Sequence, residues 1–214
     1  MIQDPLQGGT IGQQAGGSFG TEGYMPGVGD GHVFYKLPST VRQGYAEFEV
    51  KGMTTAGMSK DKESKQGFFG MYDGRGIEEP AQYFRDFKSN FNRFAVAWNN
   101  QVEKFQCTVT TYNPSPERLD AARAVDDKRD WSKEPKMGVV AWDPNRWYQF
   151  RVEWKDKAFK LFVDGNLVWE VSGPHDYAPA DHRVWLGSVP GHDVKYVNQV
   201  AGIAYRNFKL GASD

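Results

Sequence analysis

Two pairs of glutamates are the residues best suited by type to acid–base chemistry. Glu47 and Glu49 alternate within GYAEFEVKGM, which is typical of a strand with one wet face, so both carboxylates point to the same side. Glu78 and Glu79 are adjacent in DGRGIEEPAQYFRDFKSNFN, where neighbouring side chains point apart and cannot flank one bond. Loops of that length are usually functional, but the Glu78–Glu79 pair itself is best interpreted as solvated loop charge.

The single thiol and the histidine–aspartate pair are the other reactive groups of note. Cys107 is the only cysteine, which excludes an intrachain disulfide. Strand alternation in FQCTVTTY puts Cys107 beside Phe105 and Val109, which favours a small buried hydrophobe over a nucleophile. His192 and Asp193 lie in a turn, PGHD, with no further ligand at a spacing that zinc requires. The sequence predicts no metal centre from these residues.

The segment WYQFRVEWKDKAFKLFVDGNLVWEV, residues 147–171, shows which elements must position the remaining side chains. Its apolar residues recur with a period of two: Tyr148, Phe150, Val152 and Trp154 share one side. KDK and DGN interrupt the pattern with residues that favour tight turns. The segment therefore predicts three antiparallel strands and an all-β protein. One short helix is predicted within PSPERLDAARAV, which combines a capping serine with residues of high helix propensity.

Length and composition exclude several classes of partner. The chain has 214 residues, with 24 glycines and 11 prolines spread along it, so we expect one domain spanning residues 1–214. Its 26 basic and 27 acidic residues are well mixed, which predicts no nucleic-acid partner. No apolar run reaches the roughly 20 residues that span a bilayer, and the N-terminus lacks the pattern of a signal peptide. The compartment is left open.

Four segments resemble the concanavalin A-like lectin/glucanase superfamily, in particular its laminin-G-like members. They are GGTIGQQAGGSF, GYAEFEVKG, the DPNRWYQFRVEWKDKAFKLFVDGNLVWEV meander and GIAYRNFKLG. The resemblance implies a two-sheet antiparallel β-sandwich, a jelly roll with at most one or two short helices, and a glycan groove on the concave sheet. It favours an extracellular or cell-surface location. We assign GFFGMY, RFAVAW, FQCTVTTY and VWLGS to the groove sheet.

The catalytic residues that the resemblance implies are missing from this chain. Related glycoside hydrolases carry E-x-D-x-x-E or a close variant on one strand, and no strand here does. Polysaccharide lyases of this fold need a carboxylate neutraliser and a proton-abstracting Tyr or His, but their R-x-E-x-R and Q-I-H strands are absent. We therefore predict no catalytic residue, with a lyase or hydrolase as the alternative. The groups that would serve a lyase are Tyr83, Arg85, Arg93, Gln106, Tyr112 and His182.

Sugar binding without catalysis needs only aromatic faces and hydroxyl-bridging polar groups, which the assigned groove strands and their loops carry. The predicted function is a non-catalytic, lectin-like domain that binds a polysaccharide or oligosaccharide. A structural or adhesive surface module is a further alternative. The predicted ligand-binding residues are Tyr72, Tyr83, Arg85, Trp98, Gln106, Tyr112, His182 and Trp185.

A structural calcium is common in the superfamily, held by an acidic residue near the N-terminus, a backbone carbonyl and an aspartate of the last strand. That strand often reads I-D-Y, whereas this chain has Ile203-Ala204-Tyr205. Asp4 and Asp30 remain candidate ligands. Because ordinary turn aspartates are commoner, we predict no cofactor.

Overall fold

A computed structural model describes residues 1–61, 64–74, 93–110, 127–131, 141–173, 175–188 and 198–213. These residues form fifteen strands and no helix, and the short helix predicted within residues 114–125 lies outside them. The strands are β1 (Ile2–Asp4), β2 (Gln13–Ala15), β3 (Ser18–Gly20), β4 (Gly23–Met25), β5 (His32–Lys36), β6 (Gly44–Lys51), β7 (Lys65–Asp73), β8 (Arg93–Asn99), β9 (Lys104–Thr110), β10 (Asp127–Trp131), β11 (Tyr148–Lys155), β12 (Ala158–Val163), β13 (Asn166–Ser172), β14 (His182–Gly187) and β15 (Ala204–Ala212).

The strands build two antiparallel sheets. The eight-stranded sheet has the order β13-β12-β11-β6-β15-β4-β3, with β1 added along β15. The seven-stranded sheet has the order β10-β9-β8-β7-β14-β5-β2. This arrangement confirms the predicted all-β, two-sheet antiparallel sandwich. Among the described residues, no helix has the length and apolar character needed to cross a bilayer.

The core lies between the sheets, where the period-two alternation of β11 puts Tyr148, Phe150, Val152 and Trp154. Gln149, the next residue along the chain from Tyr148, is exposed. Residues of both sheets meet in this layer, and the clearest contact across it is the parallel stack of the Phe94 and Phe159 rings at 4.9 Å. Full burial of a large apolar side chain contributes roughly 1.5–3 kcal/mol. Alternation along the strands therefore explains the sandwich.

The β12–β13 turn shows how local sequence sets the strand register. Asp164 and Gly165 both have positive φ, 50° and 76°, as the predicted DGN turn requires. The Asp164 carboxylate also accepts a hydrogen bond from the backbone N–H of Gln149 at 2.9 Å and one from Arg146 at 2.6 Å. The turn is thereby attached to the start of β11.

The four segments that we assigned to the groove sheet form β7, β8, β9 and β14. These strands are consecutive neighbours in the seven-stranded sheet, in the order β9-β8-β7-β14. The prediction that these segments share one sheet is therefore confirmed. One face of that sheet points away from the eight-stranded sheet. We call this the outer face of the seven-stranded sheet.

Candidate functional site

Residues that pair across neighbouring antiparallel strands point to the same face of the sheet. We call a set of such partners, followed from strand to strand, a row, and the rows give the composition of the outer face. One row contains Phe34 of β5, Trp185 of β14, Gly70 of β7 and Ala95 of β8. The alternate residues of the same strands belong to the main core between the sheets. Phe34 and Trp185 therefore lie on the outer face of the seven-stranded sheet.

Phe34, Tyr72 and Trp185 form an apolar cluster separate from the main core. The Tyr72 and Trp185 rings lie 5.6 Å apart at an interplanar angle of 58°. Both rings are enclosed, since Tyr72 is 0% exposed and Trp185 3% exposed. The cluster therefore does not offer an open platform on which a sugar ring could stack.

The next row places cationic side chains around Tyr72. Lys36, Arg183, Tyr72 and Arg93 are successive register partners on β5, β14, β7 and β8. Lys36 is exposed, whereas Arg183 and Arg93 are buried. The Arg183 guanidinium donates from Nε at 3.1 Å and from Nη2 at 2.8 Å to Oδ2 of Asp181. Part of the positive charge of this row is thus neutralised within the protein.

Half-buried residues of the outer face lie on β8 and β9, in addition to the exposed Lys36 on β5. Ala95 and Ala97 are half-buried, and Gln106 pairs with Ala97 and is also half-buried. The Gln106 carbonyl oxygen Oε1 is buried and has no hydrogen-bond partner within the described part of the chain. Buried polar atoms are normally hydrogen-bonded, so this oxygen is an acceptor that the described part of the chain leaves unused.

Two predicted site residues lie between the sheets. Trp98 packs edge-on against Phe105 and Trp142, with centroids 5.2 and 5.4 Å away. His182 is 1% exposed and contacts the rings of Trp154 and Tyr177. The structure thus brings Tyr72, Gln106 and Trp185 to one face and leaves Trp98 and His182 in the interior.

The buried imidazole of His182 is held as a neutral base. Its Nδ1 accepts the backbone N–H of Val41 at 3.2 Å. Burial lowers the pKa of His182 from 6.5 to about 3, although the negative charge of Asp181 opposes the shift. Because neutral His182 is held inside the core, it is a structural acceptor in this fold.

Tyr83, Arg85 and Tyr112 lie outside the described residues and stay predictions. The strands on either side show where their segments begin and end. The Tyr72–Arg93 pair lies where β7 ends and β8 begins. The Thr110–Asp127 pair lies where β9 ends and β10 begins. Since Arg93 is also the register partner of Thr110, both connections leave the same end of the sheet as the cationic row.

The sequence analysis missed Phe34, Lys36 and Arg183 as outer-face residues. The signal was present, because alternation in HVFYK groups Phe34 with Lys36, and alternation in HRVWLG groups Arg183 with Trp185. Alternation in HRVWLG therefore predicts that Arg183, and not His182, lies on the same face as Trp185. The sequence does not show which strands lie beside β14. The residues that pair with Arg183 and Trp185 could therefore not be predicted.

Asp4, a candidate calcium ligand, is fully engaged by the protein. Its Oδ1 accepts the backbone N–H of Leu6 at 2.9 Å. Its Oδ2 accepts hydrogen bonds from the Thr10 hydroxyl at 2.6 Å, the Ile11 N–H at 3.0 Å and the Tyr35 hydroxyl at 3.0 Å. Ala204, at the position where the superfamily often has an aspartate, offers no side-chain oxygen. These residues do not fit a calcium ion, and no group of three or more His, Cys, Asp or Glu in the described ranges is arranged to hold a metal.

The glutamates of β6 lie on the outer face of the eight-stranded sheet, away from the candidate site. Glu47 forms an ion pair with Arg151, and Glu49 forms one with Arg206 at 2.6 Å. The described strands of the seven-stranded sheet contain no glutamate. A retaining hydrolase needs two carboxyl groups about 5 Å apart across one bond, and these strands supply no such pair of glutamates.

Comparisons with known proteins identify the fold. Neither the protein-family models nor the curated protein sequences give a match. Among solved structures, the alginate lyase Aly36B has a TM-score of 0.56 at 11% identity, with 98% of this chain and 95% of that chain covered. Bacillus licheniformis β-glucanase also has a TM-score of 0.56, at 14% identity, with 100% and 98% covered. Trypanosoma rangeli sialidase has a TM-score of 0.55 at 10% identity, and the match covers 98% of this chain but 30% of that enzyme.

The two sheets and these structural neighbours together define the fold as the jelly roll of concanavalin A-like proteins. The fold resemblance stated from the sequence is therefore confirmed. The named neighbours are carbohydrate-active enzymes. At these identities the likeness concerns the fold alone.

Proposed function

We propose that this protein binds a polysaccharide or oligosaccharide on the outer face of the seven-stranded sheet without transforming it. The observation that carries the proposal is the half-buried Gln106 side chain, whose carbonyl oxygen Oε1 has no hydrogen-bond partner in the described ranges. A sugar hydroxyl is a donor of the right kind for this atom. The half-buried residues Ala95 and Ala97 on the neighbouring strand have small side chains, which favours close approach of a ligand to the sheet.

The residues around Gln106 support a site of extended shape. The cluster of Phe34, Tyr72 and Trp185 borders Ala95 on one side. On the other side, the Cα of Trp131 in β10 pairs with that of Gln106. The segments that carry Tyr83, Arg85 and Tyr112 leave the sheet at the end of the cationic row, and in this proposal their side chains complete the site.

The fold supports carbohydrate as the ligand class by analogy, since a β-glucanase and an alginate lyase share it. The proposal further describes the protein as a lectin-like, laminin-G-like unit in which residues 1–214 form a single domain. Antiparallel pairing of β1 with β15, from Ile2 opposite Leu210 to Asp4 opposite Phe208, supports the single domain because it joins the two ends of the chain in one sheet.

A lyase is the second candidate function, and the placement of Tyr72 favours it. Tyr72 lies between Arg93 and Arg183 in one row. In β-elimination, an arginine neutralises the substrate carboxylate while a tyrosine removes the α-proton and the glycosidic oxygen leaves. Burial of all three side chains argues against this reaction, because none of them is open to a substrate.

A polysaccharide panel read in two ways separates these functions. Affinity electrophoresis in gels that contain β-glucan, alginate or another polysaccharide measures binding, and ultraviolet absorbance and reducing-end assays of the same mixtures measure product. We expect retardation without product. Gln106→Ala should weaken retardation about five- to tenfold, which is the loss of roughly one hydrogen bond.

Gln3→Ala is the matched control, since Gln3 is an exposed amide on β1 of the other sheet, and it should retain the affinity of the original protein. Unsaturated product would establish the lyase instead. No retardation by any polysaccharide and no product would support a structural or adhesive module and reject the proposal.

A further inference from the structure

A pocket lies on the outer face of the eight-stranded sheet, on the opposite side of the sandwich from the candidate site. It encloses about 220 Å³. That volume is below the roughly 300–1,000 Å³ of pockets that take drug-sized ligands, so it suits one small polar unit. The lining residues are Glu47, Gln149, Arg151, Glu153, Phe162 and Gly165.

Arg151 is fixed at the centre of this pocket. Its Nε donates to Glu153 at 2.6 Å, and its Nη1 donates to Glu47. The guanidinium also lies 4.4 Å from the ring centroid of Tyr45, a cation–π contact. The Nη2 group carries two further N–H donors. Arg151, Glu47 and Glu153 therefore hold one another in place.

The charges of the pocket select a neutral, hydroxyl-rich ligand. Both carboxylates pair with the Arg151 guanidinium, and Lys209 and Lys160 are the register partners of Glu47 and Glu153. The site therefore carries no strong charge that would attract a phosphate or carboxylate group. Arg151 at the centre disfavours an ammonium group. A hydroxyl both donates and accepts, so it can bond to the Glu47 or Glu153 carboxylate and to the Gln149 or Arg151 N–H groups together.

Phe162 supplies an aromatic face at the edge of the pocket. Its neighbours Leu161 and Val163 are buried in the core, whereas the half-buried Phe162 is the register partner of Arg151 on the polar face. Leu167, also half-buried, pairs with Phe162 from β13. An aromatic ring among charged residues can pack against the C–H face of a sugar while the polar groups bond to its hydroxyls.

We propose that this pocket is a second saccharide-binding site, which takes one neutral sugar unit, such as a hexose residue of a longer chain. The ligand class rests on the proposed function, whereas the location does not. With sites on opposite sheets, one molecule contacts two polysaccharide chains and links them.

Amide NMR titration of the whole protein tests this site. The probes are D-glucose, D-mannose, D-galactose, laminarihexaose and cellohexaose. We expect saturable shifts at the outward residues of β6, β11 and β12 with at least one probe. Phe162→Ala should weaken that binding at least about tenfold, and Phe162→Tyr, which keeps the ring, should retain it. If the Phe162→Ala spectrum shows misfolding, Gln149→Ala takes its place, because Gln149 is exposed.

The location of the shifts distinguishes the two sites. Shifts at both sheets, with the β8–β9 shifts retained in Phe162→Ala, support both proposals. Shifts at β8 and β9 alone overturn the second site and leave the proposed function in place. Shifts at the pocket alone support the second site and reject the site on the seven-stranded sheet. Absence of saturable shifts with all five probes overturns the second site.

Discussion

The indole of Trp185 lies directly over Gly70 on the outer face of the seven-stranded sheet. The two residues are register partners on β14 and β7. A Cβ added to Gly70 would lie 2.0 Å from Cζ2 and 2.1 Å from Cη2 of Trp185. Real Cβ atoms do not approach other atoms so closely, so the position of the indole depends on the missing side chain at residue 70.

Gly70→Ala should therefore displace Trp185. The added methyl group overpacks an enclosed cluster, and such changes cost roughly 1–3 kcal/mol in the free energy of unfolding. Denaturant unfolding measures this loss, and near-ultraviolet circular dichroism reports the altered surroundings of the indole. Gly9→Ala is the control, since an added Cβ there meets no atom within 4 Å. Equal stability of the two variants would contradict the close packing of Trp185 on Gly70.

Asn198 connects four parts of the chain, and its loss should be among the most destabilising polar substitutions. Its Oδ1 accepts from Gln66 at 3.0 Å and from the Ser188 N–H at 3.1 Å. Its Nδ2 donates to the carbonyls of Gly29 and Gly31, each at 2.9 Å. Asn198→Ala removes these four hydrogen bonds from a buried site. The Gly29 carbonyl keeps the backbone N–H of residue 198, and Gln66 Nε2 keeps the Gly67 carbonyl, so we expect a loss of about 2–4 kcal/mol by denaturant unfolding.

The control for this amide is Asn166→Ala at the exposed start of β13, which should change stability by less than about 0.5 kcal/mol. A loss below about 1 kcal/mol for Asn198→Ala would show that water replaces the amide and that the network is not required.

The architecture could be predicted from the sequence because strand alternation is a local signal. The residues of β11 and β12 show it directly, and the four strands assigned to the groove sheet are neighbours there. The order of strands depends on contacts between distant residues, such as the pairing of Trp185 with Gly70. No local pattern encodes that pairing.

The candidate site was less predictable, because its residues were chosen by their chemical type and not by the face of the strand on which they lie. Trp98 was chosen as an aromatic, yet it shares a face with Phe94 and Val96, which lie in the core. His182 was chosen as a polar group, yet Arg183 beside it lies on the outer face. Burial of Tyr72 and Trp185 on that outer face is a tertiary property, and neither alternation nor composition reports it.

Asp4 should stabilise the N-terminal segment without any metal. Its carboxylate accepts four hydrogen bonds, two of them from the hydroxyls of Thr10 and Tyr35. Asp4→Ala should lower the free energy of unfolding by about 2–3 kcal/mol. Addition of calcium or of a chelator should leave the melting temperature of the original protein unchanged. A chelator-dependent fall in melting temperature that is absent in Asp4→Ala would show that Asp4 binds calcium.

His182 should make the protein acid-sensitive. Burial holds the pKa of His182 at about 3, below the ordinary value of 6.5. Between pH 6.5 and pH 3, His182 therefore binds a proton in the unfolded chain but not in the folded protein. Stability should therefore be complete above pH 6.5 and decrease as the pH falls toward 3, with a limiting slope of about 1.4 kcal/mol per pH unit from this residue.

His182→Asn separates this contribution from that of the carboxylates. The asparagine oxygen can still accept the Val41 N–H, but the side chain no longer titrates. Loss of the ring contacts with Trp154 and Tyr177 should cost roughly 1–3 kcal/mol at neutral pH, while the free energy of unfolding should fall less steeply toward acid than in the original protein. Urea unfolding at several pH values measures both effects, with the exposed His175→Asn as the control for loss of a histidine. If the original protein and His182→Asn have the same pH slope, His182 is protonated equally in the folded and unfolded states, and the acid sensitivity has another source.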